Sequence, residues 1–380
     1  MRPTLAAGIL ILAFHAAMAQ AQSMPATATK DSEQTGSLKT VTLRRARTAL
    51  EDRAQFISVT LLPGRGMDMF QATADLPGHG ETPLIGSPSL EEAARRMNDP
   101  ETDSWGYVSY GMGGAFLLPW ASRMSGEVSP DHSTVSTDWH GHRLTERLNS
   151  GGKYAVHGLL HRTNIEDLKT RTTADGQTVT GLLHAGDFGG RWLSLTDVRF
   201  TISLTAAAVD LKIEATNVGH VQEPMAIGWH PYFALPSHDR SQARLHVAAD
   251  LYAETVPSDG LTTGVLRPVA GSPFDFRKAE GAPLAAAPMN VNFSNLDRRG
   301  CVARLSDPAS AYGLCIRLLS PAIHTIQVYS PSGASFVAIE PQFNFPDPFG
   351  QEWKGMDTGL VTLEPGQSAV WHVRLELFRP

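Results

Sequence analysis

The chain has 380 residues, with 32 Lys and Arg against 38 Asp and Glu and a formal net charge of -6. No basic block stands out of that balance, so the electrostatic footprint of a nucleic-acid binder is absent. The length is enough for one large all-β domain or two smaller units with a sizeable buried core.

Met1 and Arg2 make a short basic start, and residues 5–17 (LAAGILILAFHAA) form an apolar run without charge. Two small-x-small triplets follow, Ala17-Met18-Ala19 and Ala19-Gln20-Ala21. Together these have the form of an export signal. The run is too short to span a bilayer comfortably, the alternative being an uncleaved anchor. Residues 1–22 are therefore expected to be a signal peptide. Residues 23–40, rich in Thr, Ser, Ala and Gln, are expected to be a disordered leader. The mature protein, residues 41–380, is expected to be a single β-sandwich domain, periplasmic or secreted and without membrane contact.

Beyond residue 40 the dominant pattern is alternation with a period of two, the mark of half-buried antiparallel strands. Residues 55–62 are a first strand candidate. Residues 76–104 read as an excursion from the sheets and hold one short helix, with Ser89 as its cap and Glu92 three positions on. Val198, Phe200, Ile202 and Leu204 alternate with polar residues, as do Val209, Leu211 and Ile213 and, near the C-terminus, Val373, Leu375 and Leu377. Residues 245–248, 325–330 and 335–340 are further candidates. The expected fold class is all-β, a large antiparallel sandwich with one short inserted helix; a barrel or jelly roll is the rival architecture. Cys301 and Cys315 flank a turn-like segment, so a hairpin there would allow a disulfide, the alternative being two inert thiols.

Four segments place polar groups where a strand pattern calls for none. Residues 113–126 (GGAFLLPWASRMSG) carry Arg123 after an apolar, aromatic run, where its guanidinium needs either a structural carboxylate or a ligand rich in hydroxyls. Residues 154–162 (YAVHGLLHR) carry His157 next to Gly158, which permits positive φ or a close backbone approach; a structural His is the alternative. Residues 229–233 (WHPYF) set His230 beside a proline and aromatics. This suits acid–base work with flat surface for a sugar ring, or else a core His bonded to backbone. Residues 336–345 (FVAIEPQFNF) end an apolar strand on Glu340, whose carboxylate is either desolvated and made more basic or turned to water. His140 and His142 lie in a polar stretch and read as solvated. No dinucleotide fingerprint, P-loop, HExxH, GxSxG or zinc-spaced cluster is present.

With PWASR around Arg123, VHG around His157, HPYF around His230 and FVAIEPQ around Glu340, the chain resembles the aldose 1-epimerase (galactose mutarotase-like) family. Residues 256–277 (VPSDGLTTGVLRPVAGSPFDFR) add a stretch close to the family's PTG…GTPFDFR. The resemblance covers about residues 56–377 and implies a mutarotase-like supersandwich acting on a monosaccharide, an aldohexose, without metal or cofactor. It implies Glu340 as base and His230 as acid, with Arg123 and His157 binding the sugar. Gln342 lies near enough to Glu340 to support it. The family often has an acidic residue where MNVNF places Asn290, so Asn290 would bind hydroxyls without a charge. A non-catalytic carbohydrate-binding protein, or an exported polysaccharide- or uronate-processing enzyme, would be an alternative use of the same fold.

Overall fold

The structure is a computed structural model that describes residues 38–48, 53–99, 101, 103, 105–256, 260–284 and 288–380. The expected signal peptide lies outside the described residues, as does the leader up to residue 37.

The alternating segments pair into two large antiparallel sheets. The nine-stranded sheet runs, edge to edge, through Glu166–Thr172, Gly176–Gly186, Thr196–Thr205, Ala208–Asn217, Ser368–Phe378, Tyr312–Leu318, Ala303–Asp307, Arg244–Val247 and Ala282–Pro283. The seven-stranded sheet runs through Thr262–Pro268, Ala249–Thr255, Met289–Leu296, Thr325–Ser330, Phe336–Gln342, Gly228–Ala234 and Gly114–Leu117. A four-stranded sheet made of Val41–Arg44, Gln55–Leu62, Asp68–Leu76 and Gly80–Pro83 packs beside them. The all-β sandwich expected from the alternation is the fold observed.

One hydrophobic cluster joins the sheets. Phe200, Ile213 and Trp371 from the larger sheet meet Phe116, Trp229 and Phe233 from the smaller. Phe116 stands 6.0 Å from both Phe200 and Trp371 between ring centroids, and 6.2 Å from Trp229. The indoles of Trp229 and Trp371 keep their N–H groups bonded, Trp229 to the Gly114 carbonyl at 2.9 Å and Trp371 to the Pro341 carbonyl at 3.0 Å. A Cβ at Gly114 would lie 2.7 Å from the Trp229 Nε1, so only glycine admits this close approach.

The helix forms where its cap signal stands, at Leu90–Met97, and the Ser89 hydroxyl accepts the Glu92 N–H at 3.1 Å. It buries Ala93, Ala94 and Met97; Ala93 and Met97 pack in a cluster with Phe70 and Met112. Of the two states open to the cysteines the structure shows the disulfide, with Cα atoms of Cys301 and Cys315 5.4 Å apart. It closes a loop whose constraint is worth about 3 kcal/mol in the chain-entropy view.

Asp68 is an exception to the apolar interior. Its side chain is fully buried, one carboxyl oxygen accepts the Gly114 N–H at 2.9 Å, and the other has no partner. Burial lifts its carboxyl from 3.8 to about 8, against the opposing pull of the Gly114 N–H and Arg65. Between those two values the folded chain keeps a proton that the unfolded chain releases. Stability therefore falls as pH rises through that window, by about 1.4 kcal/mol per unit. The neutral isostere Asp68→Asn should raise the melting temperature above pH 8 and change it little near pH 4. Thermal melts at the two pH values check this, and equal shifts at both would contradict it.

Candidate active site

The seven-stranded sheet has one face in the core, and its other face carries the polar residues. In Gly228–Ala234 the period of two sends Trp229 and Phe233 into the core cluster and leaves His230 and Tyr232 on the opposite face. In Phe336–Gln342 it buries Val337 and Ile339 in the core and leaves Glu340 and Gln342 opposite. The register, with Gly228 across from Gln342 and Tyr232 across from Ala338, brings His230 level with Glu340. The next strand adds Gln327, paired with Glu340, and the one after adds Asn292, paired with Gln327. His230, Glu340, Gln327 and Asn292 thus form one polar row across four strands.

His230 Nε2 lies 3.4 Å from Glu340 Oε1, and the two residues are 7% and 2% exposed. The distance is at the outer limit of a hydrogen bond, so the pair is close but not locked. His157 arrives from a different part of the chain. The strand Ala155–Val156 pairs with Arg123–Met124, and His157 then turns into the site with φ +66. Its ring meets that of His230 edge-on, at 5.1 Å between centroids. The Tyr110 hydroxyl donates to the His157 carbonyl at 3.0 Å and also meets His161 Nδ1 at 2.5 Å, which holds this unusual turn. Gly158 follows at φ +72, where a Cβ would lie 2.2 Å from the Leu118 carbonyl oxygen. Arg123 stands over the Tyr154 ring at 5.8 Å and donates to the Gly260 carbonyl at 3.3 Å.

Several buried polar atoms on this face have no protein partner: Nδ1 of His157 and of His230, and both side-chain amide atoms of Gln342 and of Asn292. Buried groups of this kind are costly unless something bonds them, and a ligand with many hydroxyls would do so. Burial sets the charges. It pushes His230 down to about 4 and His157 well below its ordinary range, the latter helped by His230 and Arg123. It pushes the Glu340 carboxyl well up, with Arg123 pulling the other way.

The structure brings Glu340, His230, His157, Arg123 and Gln342 into one neighbourhood. Asn290 shares their sheet face but is exposed, and its Oδ1 accepts the Gln327 Nε2 at 2.6 Å. One expectation is corrected: Trp229 and Phe233 supply no stacking surface, because they point into the core. Tyr232 is the aromatic neighbour that shares the His230 face, at 4.9 Å between centroids, and its hydroxyl donates to the Tyr110 carbonyl at 2.5 Å. Gln327, Asn292 and Tyr110 escaped the sequence reading. The alternation of Asn290, Asn292 and Ser294, and of Thr325, Gln327 and Tyr329, was the signal that marked two of them.

Comparisons with known proteins bear on the fold and the family. A galactose mutarotase-like protein from Clostridium acetobutylicum superposes with a TM-score of 0.70 at 14% identity, over 90% of this chain and 99% of that one. A galactose 1-epimerase from Lactobacillus acidophilus gives 0.62 at 18% identity, over 90% and 99%. A putative aldose 1-epimerase from Escherichia coli gives 0.63 at 18%, over 85% and 96%. These likenesses show the fold. In sequence the chain is 27% identical over 188 residues to the uncharacterized protein YphB of Escherichia coli, which is 46% of this chain and 57% of YphB. It thus spans little more than half the length of that curated relative. The sequence model of the aldose 1-epimerase family matches residues 97–376. The chain belongs to the aldose 1-epimerase family.

Proposed function

We infer that the protein is an aldose 1-epimerase that interconverts the α and β anomers of a free aldose by proton transfer alone. The observation that carries this reading is the buried pair of His230 Nε2 and Glu340 Oε1, 3.4 Å apart, on a face rich in unbonded polar groups.

Opening a hemiacetal needs a base at the C1 hydroxyl and an acid at the ring oxygen. Glu340 takes the hydroxyl proton while protonated His230 gives its proton to the ring oxygen, and the bond between C1 and that oxygen breaks. Rotation about C1–C2 presents the other face of the aldehyde, and the reverse transfers close the ring. The pair holds one proton throughout: on His230 before opening, on Glu340 after it. Burial favours the second arrangement, in which both groups are neutral, and the positive Arg123 favours the first. These opposing pulls bring the two states closer in energy, as a reaction that must run both ways requires. His157, held neutral, serves to bond hydroxyls rather than as a second acid, and Arg123 binds the sugar as a cation.

Polarimetry of fresh α-anomers of a panel of aldoses tests the reading. Purified protein should speed the approach to the equilibrium rotation of at least one of them. Rates equal to buffer for the whole panel, with sugar binding seen by calorimetry, would favour a binding protein instead.

The same reading extends to location. The apolar start of the chain and the Cys301–Cys315 disulfide both suit a protein exported to an oxidising compartment. Fractionation of cells should find the protein outside the cytoplasm with its first 22 or so residues removed; a cytoplasmic, uncleaved protein would contradict this.

A further inference from the structure

A pair of carboxyls, Asp347 buried and Glu352 half-buried, lies in the segment that follows Glu340. Asp347 is 1% exposed, and Trp353 pins its backbone by donating from Nε1 to the Asp347 carbonyl at 3.1 Å and to that of Pro346 at 3.0 Å. Both of its carboxyl oxygens are engaged by Ser125, one by the backbone N–H at 2.9 Å and the other by the hydroxyl. Ser125 stands two positions after Arg123, at the end of the short strand that carries the guanidinium. The Glu352 carboxyl is in hydrogen-bond contact with that of Asp347. A Cβ at Gly350 would lie 2.1 Å from Glu352 Oε2, so the chain keeps glycine where this carboxyl tucks in.

Two ionised carboxylates in contact repel, and neither has a donor to offer the other. Glu352 Oε1 is buried without a hydrogen-bond partner. One proton on Glu352 removes both difficulties, since the carboxyl then donates to Asp347. Other charged groups also lie around this turn. Arg267, on the strand packed against it, is paired with Glu254 at 2.9 Å; Lys354 follows on the same turn; and Arg123 acts on Asp347 from the sugar side. Burial first, and the charge of Asp347 second, lift Glu352 to about 7.

We propose that Glu352 is a positioning residue: it donates a shared proton to Asp347, which holds Ser125 and thereby sets the Arg123 guanidinium against the sugar. This rests on the reading of Arg123 as a sugar-binding group. When Glu352 loses its proton, the doubled negative charge strains the Ser125 anchor and draws Arg123 toward the carboxyls. Sugar binding weakens, while proton transfer at His230 and Glu340 continues.

The experiment follows KM and kcat from about pH 5 to 9 for wild type, Glu352→Gln and Glu352→Ala. The wild-type KM should rise several-fold through about pH 7 with kcat level. Glu352→Gln, which mimics the protonated carboxyl, should keep a low and flat KM, and Glu352→Ala should have a raised KM throughout. A wild-type and a Gln variant with the same KM profile would overturn the proposal. Failure of the underlying reading looks different: no turnover at all, or Arg123→Ala with an unchanged KM. Infrared difference spectra between the two pH limits report the proton without turnover. A protonated-carboxyl band that titrates near pH 7, is lost in Glu352→Gln and persists in Glu340→Gln supports the shared proton; absence of that band overturns it.

Discussion

Glu340→Gln should lower kcat for mutarotation by about 10²–10⁴-fold and leave sugar affinity within a few-fold of wild type. The amide keeps the shape of the carboxyl and its place beside His230, but it cannot take the C1 proton. Folding should not suffer, because burial already presses the Glu340 carboxyl toward its neutral form, which the amide resembles. Unchanged or higher thermal stability with lost turnover separates this outcome from misfolding. Near-normal kcat would remove Glu340 from the role of base.

Removal of the acid should cost about as much. His230→Asn should lower kcat by about 10²–10⁴-fold, since the imidazole beside Glu340 is lost and His157 is held neutral by its burial. The pH profile gives a sharper test. The competent pair holds one proton, and a second proton goes onto His230 only below about pH 4. The acid limb of kcat/KM for wild type should therefore fall near pH 4, not near the ordinary imidazole value of 6.5. The alkaline limb of kcat should follow the loss of the single proton from the pair, at the raised value of Glu340. An acid limb near 6.5 would show that His230 is not held in the dry setting described.

The fold was open to a reading of the sequence because alternation is local. Val198 to Leu204 and Val209 to Ile213 announce their buried faces within a few residues, and Ser89 with Glu92 announces the helix. The four chemical segments were visible for a related reason: His157, His230, Arg123 and Glu340 each interrupt an apolar run, and a strand rarely buries such groups without use. The direction of Trp229 and Phe233 was also within reach, since a period of two sets them opposite to His230. What the sequence withholds is register. Gln327 and Asn292 join the row only because their strands pair at particular offsets, a property of contacts far apart in the chain. The link of Asp347 and Glu352 to Arg123 is hidden likewise, because Ser125 and Asp347 are 222 positions apart.

The central claim is that His230 and Glu340 move protons on a sugar, and anomer exchange measured by NMR tests it most directly. Magnetisation transfer between the α and β H1 signals of a free aldose, at equilibrium and near pH 7, should show exchange far above the buffer rate with wild-type protein. The rate should return to that of buffer with Glu340→Gln. Wild-type exchange at the buffer rate while the sugar is demonstrably bound would contradict the account.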